Sequence, residues 1–167
     1  MMKRLFFFLL VTFSSLAAVA TDSVTVKALF KEMPDSVIPY LSKNNRLDFI
    51  DFMESNMKAE VTNAFGGKSM MTALTDDYIN IRLNEVCQLE ILLLTTAQTA
   101  NDQSKVIALI RTVGRENDVL ESESPQFYTL DWKPLTASPL LTEADRSRLD
   151  SYIKPLKMFN LKTDTTN

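Results

Sequence analysis

Between Tyr78 and Leu94 the sequence reads YINIRLNEVCQLEILLL, and two runs within it alternate apolar and polar residues. Ile79, Ile81 and Leu83 are interleaved with Asn80 and Arg82, and Leu89, Ile91 and Leu93 keep a period of two. Successive side chains of a strand point to opposite faces, so this pattern puts one face on a core. A single strand of this length would extend roughly 55 Å, far beyond the usual strand. The expected break lies at Asn84–Val86, which makes the stretch a hairpin. The residues before it read as helix, and those after it as further strand.

The N-terminus has the pattern of a leader. Lys3 and Arg4 form a positive segment, Leu5 to Phe13 is almost wholly apolar, and Ala18-Val19-Ala20 supplies small residues before Thr21. The apolar run falls short of the roughly 20 residues that span a bilayer. The expected organisation is a signal peptide over 1–20, one α+β domain over 21–160 and a flexible tail over 161–167. The mature protein is then secreted or periplasmic, with no membrane insertion after signal removal. The chain carries a net charge of −3, which becomes more negative once Lys3 and Arg4 are removed. Such a surface has no basic field for nucleic acid or anionic lipid. There is no histidine, which excludes imidazole acid–base work, His-dependent triads and the usual zinc sites. The one cysteine, Cys87, can form no internal disulfide. In register with Leu83 and Leu89, it reads as a small apolar packing residue.

Before the hairpin, Leu29, Phe30 and Met33 fall at helical spacing until Pro34 stops them. Asp35 and Ser36 are placed to cap a short second helix. A longer helix is expected from Asn44 or Asn45, with Asp48 completing a capping box and Leu47, Ile50, Met53, Met57 and Val61 forming its stripe. Phe49 and Phe52 widen that stripe for packing on a sheet, and Gly66-Gly67 is the expected helix stop. After the hairpin, Ala97–Ser104 is a polar loop. Lys105–Val113 is apolar on both faces, which places it in the middle of a sheet. Gly114–Asn117 forms a turn. Asp118–Glu123 reads as a weak edge strand and Gln126–Trp132 as the last strand, bounded by Pro125 and Pro134. Thr142, Glu143 and Asp145 mark a helix start, and Leu149, Tyr152, Ile153 and Leu156 give that helix an apolar side before Pro155 limits it. The fold class is α+β: N-terminal helices on an antiparallel meander of about five strands, with a short C-terminal helix.

Four blocks of the sequence carry a resemblance. PDSVIPYL at Pro34–Leu41, NRLD at Asn45–Asp48, LTDDY at Leu74–Tyr78 and FYTLDWKPL at Phe127–Leu135 together resemble a secreted Bacteroidales family, domain of unknown function 3256. The resemblance spans the mature domain except its tail. It implies a cell-envelope or extracellular setting and brings no assigned activity, so it transfers no catalytic residue.

Motifs with chemical meaning are sparse. Gly66-Gly67-Lys68-Ser69 lacks the first glycine of a phosphate loop, since position 62 is Thr62. Ser-x-x-Lys occurs at Ser55–Lys58 and Ser151–Lys154, without the partner motifs that serine–lysine catalysis needs. Asp76 and Asp77 are neighbours and point to opposite faces of an extended segment, Asp48 and Asp51 sit on a solvated helix face, and Glu121 and Glu123 project together from a weak strand. A hydrolase needs two carboxylates converging in a pocket. The best interaction candidates are aromatic: Tyr128 and Trp132 share a strand face with Leu130, either as core or as a platform for a protein or glycan of the envelope. The expected function is a non-enzymatic binding module with no cofactor, metal or catalytic residue. The alternatives are a small carboxylate hydrolase and a structural subunit that assembles through a sheet edge.

Overall fold

The computed structural model describes residues 24–97, 104–115 and 119–153. The expected signal peptide and tail, most of the Ala97–Ser104 loop, part of the Gly114–Asn117 turn, and Lys154 to Leu156 lie outside the described residues. In chain order the elements are α1 (Val26–Lys31), α2 (Lys43–Glu54), β1 (Glu60–Thr62), β2 (Lys68–Leu74), β3 (Tyr78–Arg82), β4 (Cys87–Thr95), β5 (Lys105–Arg115), β6 (Val119–Ser122), β7 (Gln126–Tyr128) and α3 (Glu143–Tyr152). The strands form one antiparallel sheet in the order β1-β2-β3-β4-β5-β6, and β7 also pairs with β5.

The hairpin breaks where the sequence predicts. β3 and β4 pair from Tyr78↔Leu92 to Arg82↔Gln88, and Asn84 Oδ1 accepts the Val86 N–H inside the turn. β4 and β5 then pair without interruption from Cys87↔Val113 to Thr95↔Lys105. Ile79, Ile81, Leu89, Ile91, Leu93, Ile107 and Leu109 pack on one face, beneath Phe30, Phe49 and Ile50 of α1 and α2. Leu92, Leu94, Val106, Ala108 and Ile110 pack on the other, beneath Leu141 and Leu149. The two-sided apolar pattern of β5 therefore means what it predicts: a central strand covered on both sides.

α3 starts at Thr142, whose hydroxyl accepts the Asp145 N–H, and Asp145 in turn accepts the Thr95 N–H at 2.7 Å. Its first turn is thereby pinned to the end of β4. β6 is an edge strand, as expected. β6 and β7 run in succession along β5, separated by a bulge: Glu123, Ser124 and Pro125 stand opposite only Ile110 and Arg111 of β5. Pro125 has no N–H for the ladder, which is why the interruption falls there.

Several expectations are corrected. Among the described residues the sheet has seven strands rather than about five, because β1 and β2 precede the organising hairpin. The stripe extrapolated through Met57 and Val61 crosses a chain reversal: Asn56 adopts φ 53°, and Met57 N–H bonds to Phe52 C=O at 2.8 Å while Asn56 N–H bonds to Met53 C=O. This is a Schellman stop built on asparagine, so Met57 is exposed and Val61 belongs to β1. Gly66-Gly67 instead forms the β1–β2 hairpin, with Gly66 at φ 79°. The α2 cap is Ser42 with Asn45 closing the box, one turn earlier than Asn45 with Asp48. Asp35 and Ser36 lie in a turn, not a helix.

That turn is held by Arg46. Its side chain is 1% exposed; Nε donates to Phe30 C=O at 3.1 Å, Nη1 to Leu41 C=O and Asp35 Oδ1 at 2.7 Å each, and Nη2 to Met33 C=O. A planar five-donor fork suits three divergent carbonyls and a carboxylate as no ammonium can. Replacing Arg46 by alanine should lower the unfolding free energy by about 3 kcal/mol or more. Arg46→Lys should recover little of that loss in urea denaturation.

Candidate functional site

Two hairpins in the chain share one geometry. In the first, Asn63 N–H bonds to Gly67 C=O at 2.8 Å and Gly66 N–H to Asn63 C=O at 3.0 Å, closing a three-residue loop whose last member, Gly66, is left-handed. In the second, Thr129 N–H bonds to Lys133 C=O at 2.9 Å and Trp132 N–H to Thr129 C=O at 3.0 Å. The left-handed position there is Trp132, at φ 61°. A left-handed backbone disfavours any residue with a Cβ, by roughly 1–2 kcal/mol. Trp132 holds the conformation because its ring is buried in the core (5% exposed), and its indole N–H donates to Leu29 C=O of α1 at 2.9 Å. Thr129 reinforces the turn, its hydroxyl accepting the Lys133 N–H and donating to Asp131. Hydrogen bonds from Lys133 and Thr129 hold the Asp131 carboxyl down at about 2.

The expected last strand therefore ends at Tyr128, and Trp132 reaches the core from a turn. Tyr128, Leu130 and Trp132 do share the helix-covered side of the sheet. Tyr128 is half-buried, packs tilted on Trp132 with centroids 5.6 Å apart, and its hydroxyl donates to Gln126 Oε1 at 3.0 Å. Burial pushes that hydroxyl above its usual pKa, so it remains a donor. Beyond the turn the chain doubles back along β7: Pro134 bridges Tyr128, and Leu135 N–H bonds to Phe127 C=O at 2.8 Å. A groove of about 380 Å³ lies here, lined by Pro125–Tyr128 and Pro134–Ser138. No lining side chain is charged. The sequence pattern misses Gln126, Thr136 and Ser138, which reach the groove only because the turn folds 134–138 against β7. The proline bracket was their one signal.

The other candidates are less assembled. Glu121 and Glu123 do flank one small concavity, of about 180 Å³, with Val113. Arg111 binds Glu123 there at 3.3 Å. Asp48 and Asp51 are exposed, as is Asp76, and Asp77 pairs with Arg148 at 2.8 Å. Ser55 caps α2 and Lys58 pairs with Glu60, so they make no catalytic dyad. A polar row unseen in the sequence crosses the second face: Glu90 is 4% exposed, and Tyr78, Asn80 and Gln88 each donate to its Oε1 at 3.4 Å. Burial pushes the Tyr78 hydroxyl up to about 12. Gln88 and Glu90 interrupt the apolar phase that Leu92 and Leu94 continue, and that was the available signal. Among the described residues, no cluster of three His, Cys, Asp or Glu side chains forms a metal site, and no helix is long and apolar enough to cross a membrane.

Fold and groove together define an α+β domain with an antiparallel sheet covered on both faces and a neutral aromatic groove at one edge. Residues 18–165 match the family described as "Protein of unknown function (DUF3256)", and the chain belongs to that family. It is also similar to a solved structure, a domain of an uncharacterized protein from Porphyromonas gingivalis W83, at 25% identity and a TM-score of 0.52. The likeness covers 66% of this chain and 53% of that one, so the chain spans about half the length of this relative. No protein of curated function is a significant match.

Fluorescence and substitution test the placement of Trp132. Trp132 fluorescence should be blue-shifted and poorly quenched by acrylamide; Trp132→Phe should lose about 1 kcal/mol, since Leu29 C=O keeps the Glu32 N–H as a partner, whereas Trp132→Gly should lose about 2–4 kcal/mol despite relieving the backbone. Burial also raises the Cys87 thiol. Its alkylation at pH 8 should accordingly be slower than that of a free thiol and should accelerate in denaturant.

Proposed function

We propose that the protein is an exported, non-catalytic binding module of a Bacteroidales-type cell envelope that holds a protein or glycan partner in the groove beside β7. The observation that carries this reading is the fixed Tyr128 ring. It is braced behind by Trp132 and tied at its tip to Gln126, on a concave surface larger than the one between Glu121 and Glu123. Aromatic side chains immobilised before binding offer contact area at little entropic cost. Trp132 serves as the brace, and Tyr128 makes the contact. Export rests on the leader pattern of residues 1–20.

The alternatives have weaker support. Glu123 is engaged by Arg111, so the carboxylate pair is not poised for acid–base work. Edge strands of three and four residues offer little ladder to a second copy. In a Bacteroidales host, the mature chain should begin at Thr21 by N-terminal sequencing and fractionate outside the cytoplasm; an uncleaved cytoplasmic chain would refute export. A photo-crosslinking residue at Ser138 should capture an envelope component, and Ala137→Trp, which fills the groove, should abolish capture. Equal capture with A137W in place would refute the groove as the site.

A further inference from the structure

We infer that the occupant of the β7 groove is a neutral sugar ring of a glycan, an inference that rests on the binding function proposed above. Three features of the site select it. The backbone edge of β7 is already used: the Leu135 N–H occupies Phe127 C=O, and Pro134, which has no N–H, stands opposite Tyr128. An extended peptide that adds a strand needs that edge free, so recognition must go through side chains. The lining is also uncharged throughout. A phosphate or carboxylate would find only the Arg111 guanidinium, which acts on Tyr128 but is already paired with Glu123, and an ammonium would find no carboxylate in the lining, so the lost hydration of such groups is poorly compensated. Finally, about 380 Å³ is at the low end for ligand sites, which run from about 300 to 1,000 Å³. That suits one or two rings and not a folded surface.

The chemistry of the walls matches a pyranose. Its apolar C–H face stacks on the part of Tyr128 that Trp132 leaves uncovered, with Pro134, which stands opposite Tyr128, beside it. Its hydroxyls meet donors and acceptors of their own kind. The Gln126 carbonyl oxygen is taken by the Tyr128 hydroxyl, which leaves the amide N–H groups to donate, and the Thr136 and Ser138 hydroxyls can both donate and accept.

The test uses the mature full chain, ¹⁵N-labelled and titrated with maltotetraose, cellotetraose, xylotetraose and mannotetraose. At least one of these should shift the amides of Gln126, Tyr128 and Thr136, with affinity falling about tenfold or more in Tyr128→Ala. Ala137→Trp supplies a second variant on an exposed position that leaves the core intact, and it should abolish the shifts. Absence of groove shifts with all four sugars overturns the sugar assignment. If Ser138 crosslinking then still captures an envelope protein in an A137W-sensitive way, the binding function stands with a different ligand. If neither readout responds, both fail.

Discussion

The β4–β5 ladder is the constraint on which the rest of the molecule depends. Its register runs unbroken from Cys87↔Val113 to Thr95↔Lys105, and the side chains of both strands are buried on both sheet faces along most of that length. Each fully buried leucine or isoleucine contributes about 1.5–3 kcal/mol, but only if something covers it. The centre of the sheet therefore obliges the chain to supply two covers. α1 and α2 supply one, and the segment from Leu135 through α3 supplies the other. Even the attachment of the second cover is set by the ladder, since α3 is anchored to the Thr95 N–H at the end of β4 through Asp145.

Arg46 solves a different problem on the helical side. The chain between α1 and α2 contains two prolines and turns sharply, leaving the Met33 and Leu41 carbonyls outside helix and strand, while the Phe30 carbonyl at the end of α1 also accepts the Met33 N–H at 3.4 Å. One guanidinium reaches all three and Asp35 as well. Buried carbonyls without partners would destabilise the layer. A charged residue on the buried side of α2 thus acts as the centre of a loop's hydrogen bonding, which explains why an amphipathic reading of that helix undercounts its inward face.

The groove follows from the same economy. A glycine would make the Thr129–Lys133 turn easily, as Gly66 does in the other hairpin. Tryptophan at that position couples the turn to α1 through the Leu29 carbonyl and places a rigid wall behind Tyr128. The left-handed Trp132 and the half-buried Tyr128 ring belong to one arrangement, in which packing energy holds a strained backbone.

Much of this was legible in the residues themselves. Period-two alternation identifies β3 and β4, two-sided apolarity places β5 centrally, and Thr142 with its acids marks the start of α3, because each depends on local spacing alone. The absence of histidine and the single cysteine narrow the chemistry in the same way. What the tertiary structure decided depends on contacts between distant segments. Asn56, not Gly66, ends α2, so a helical-looking stripe continues into β1 across a reversal that spacing does not register. Tyr128 and Trp132 were recognisable as a pair, but that Trp132 is buried while Tyr128 stays half-exposed was set by α1, whose Leu29 carbonyl lies 103 residues away in sequence. Local periodicity encodes which face a side chain takes; only the packed chain determines what lies against that face.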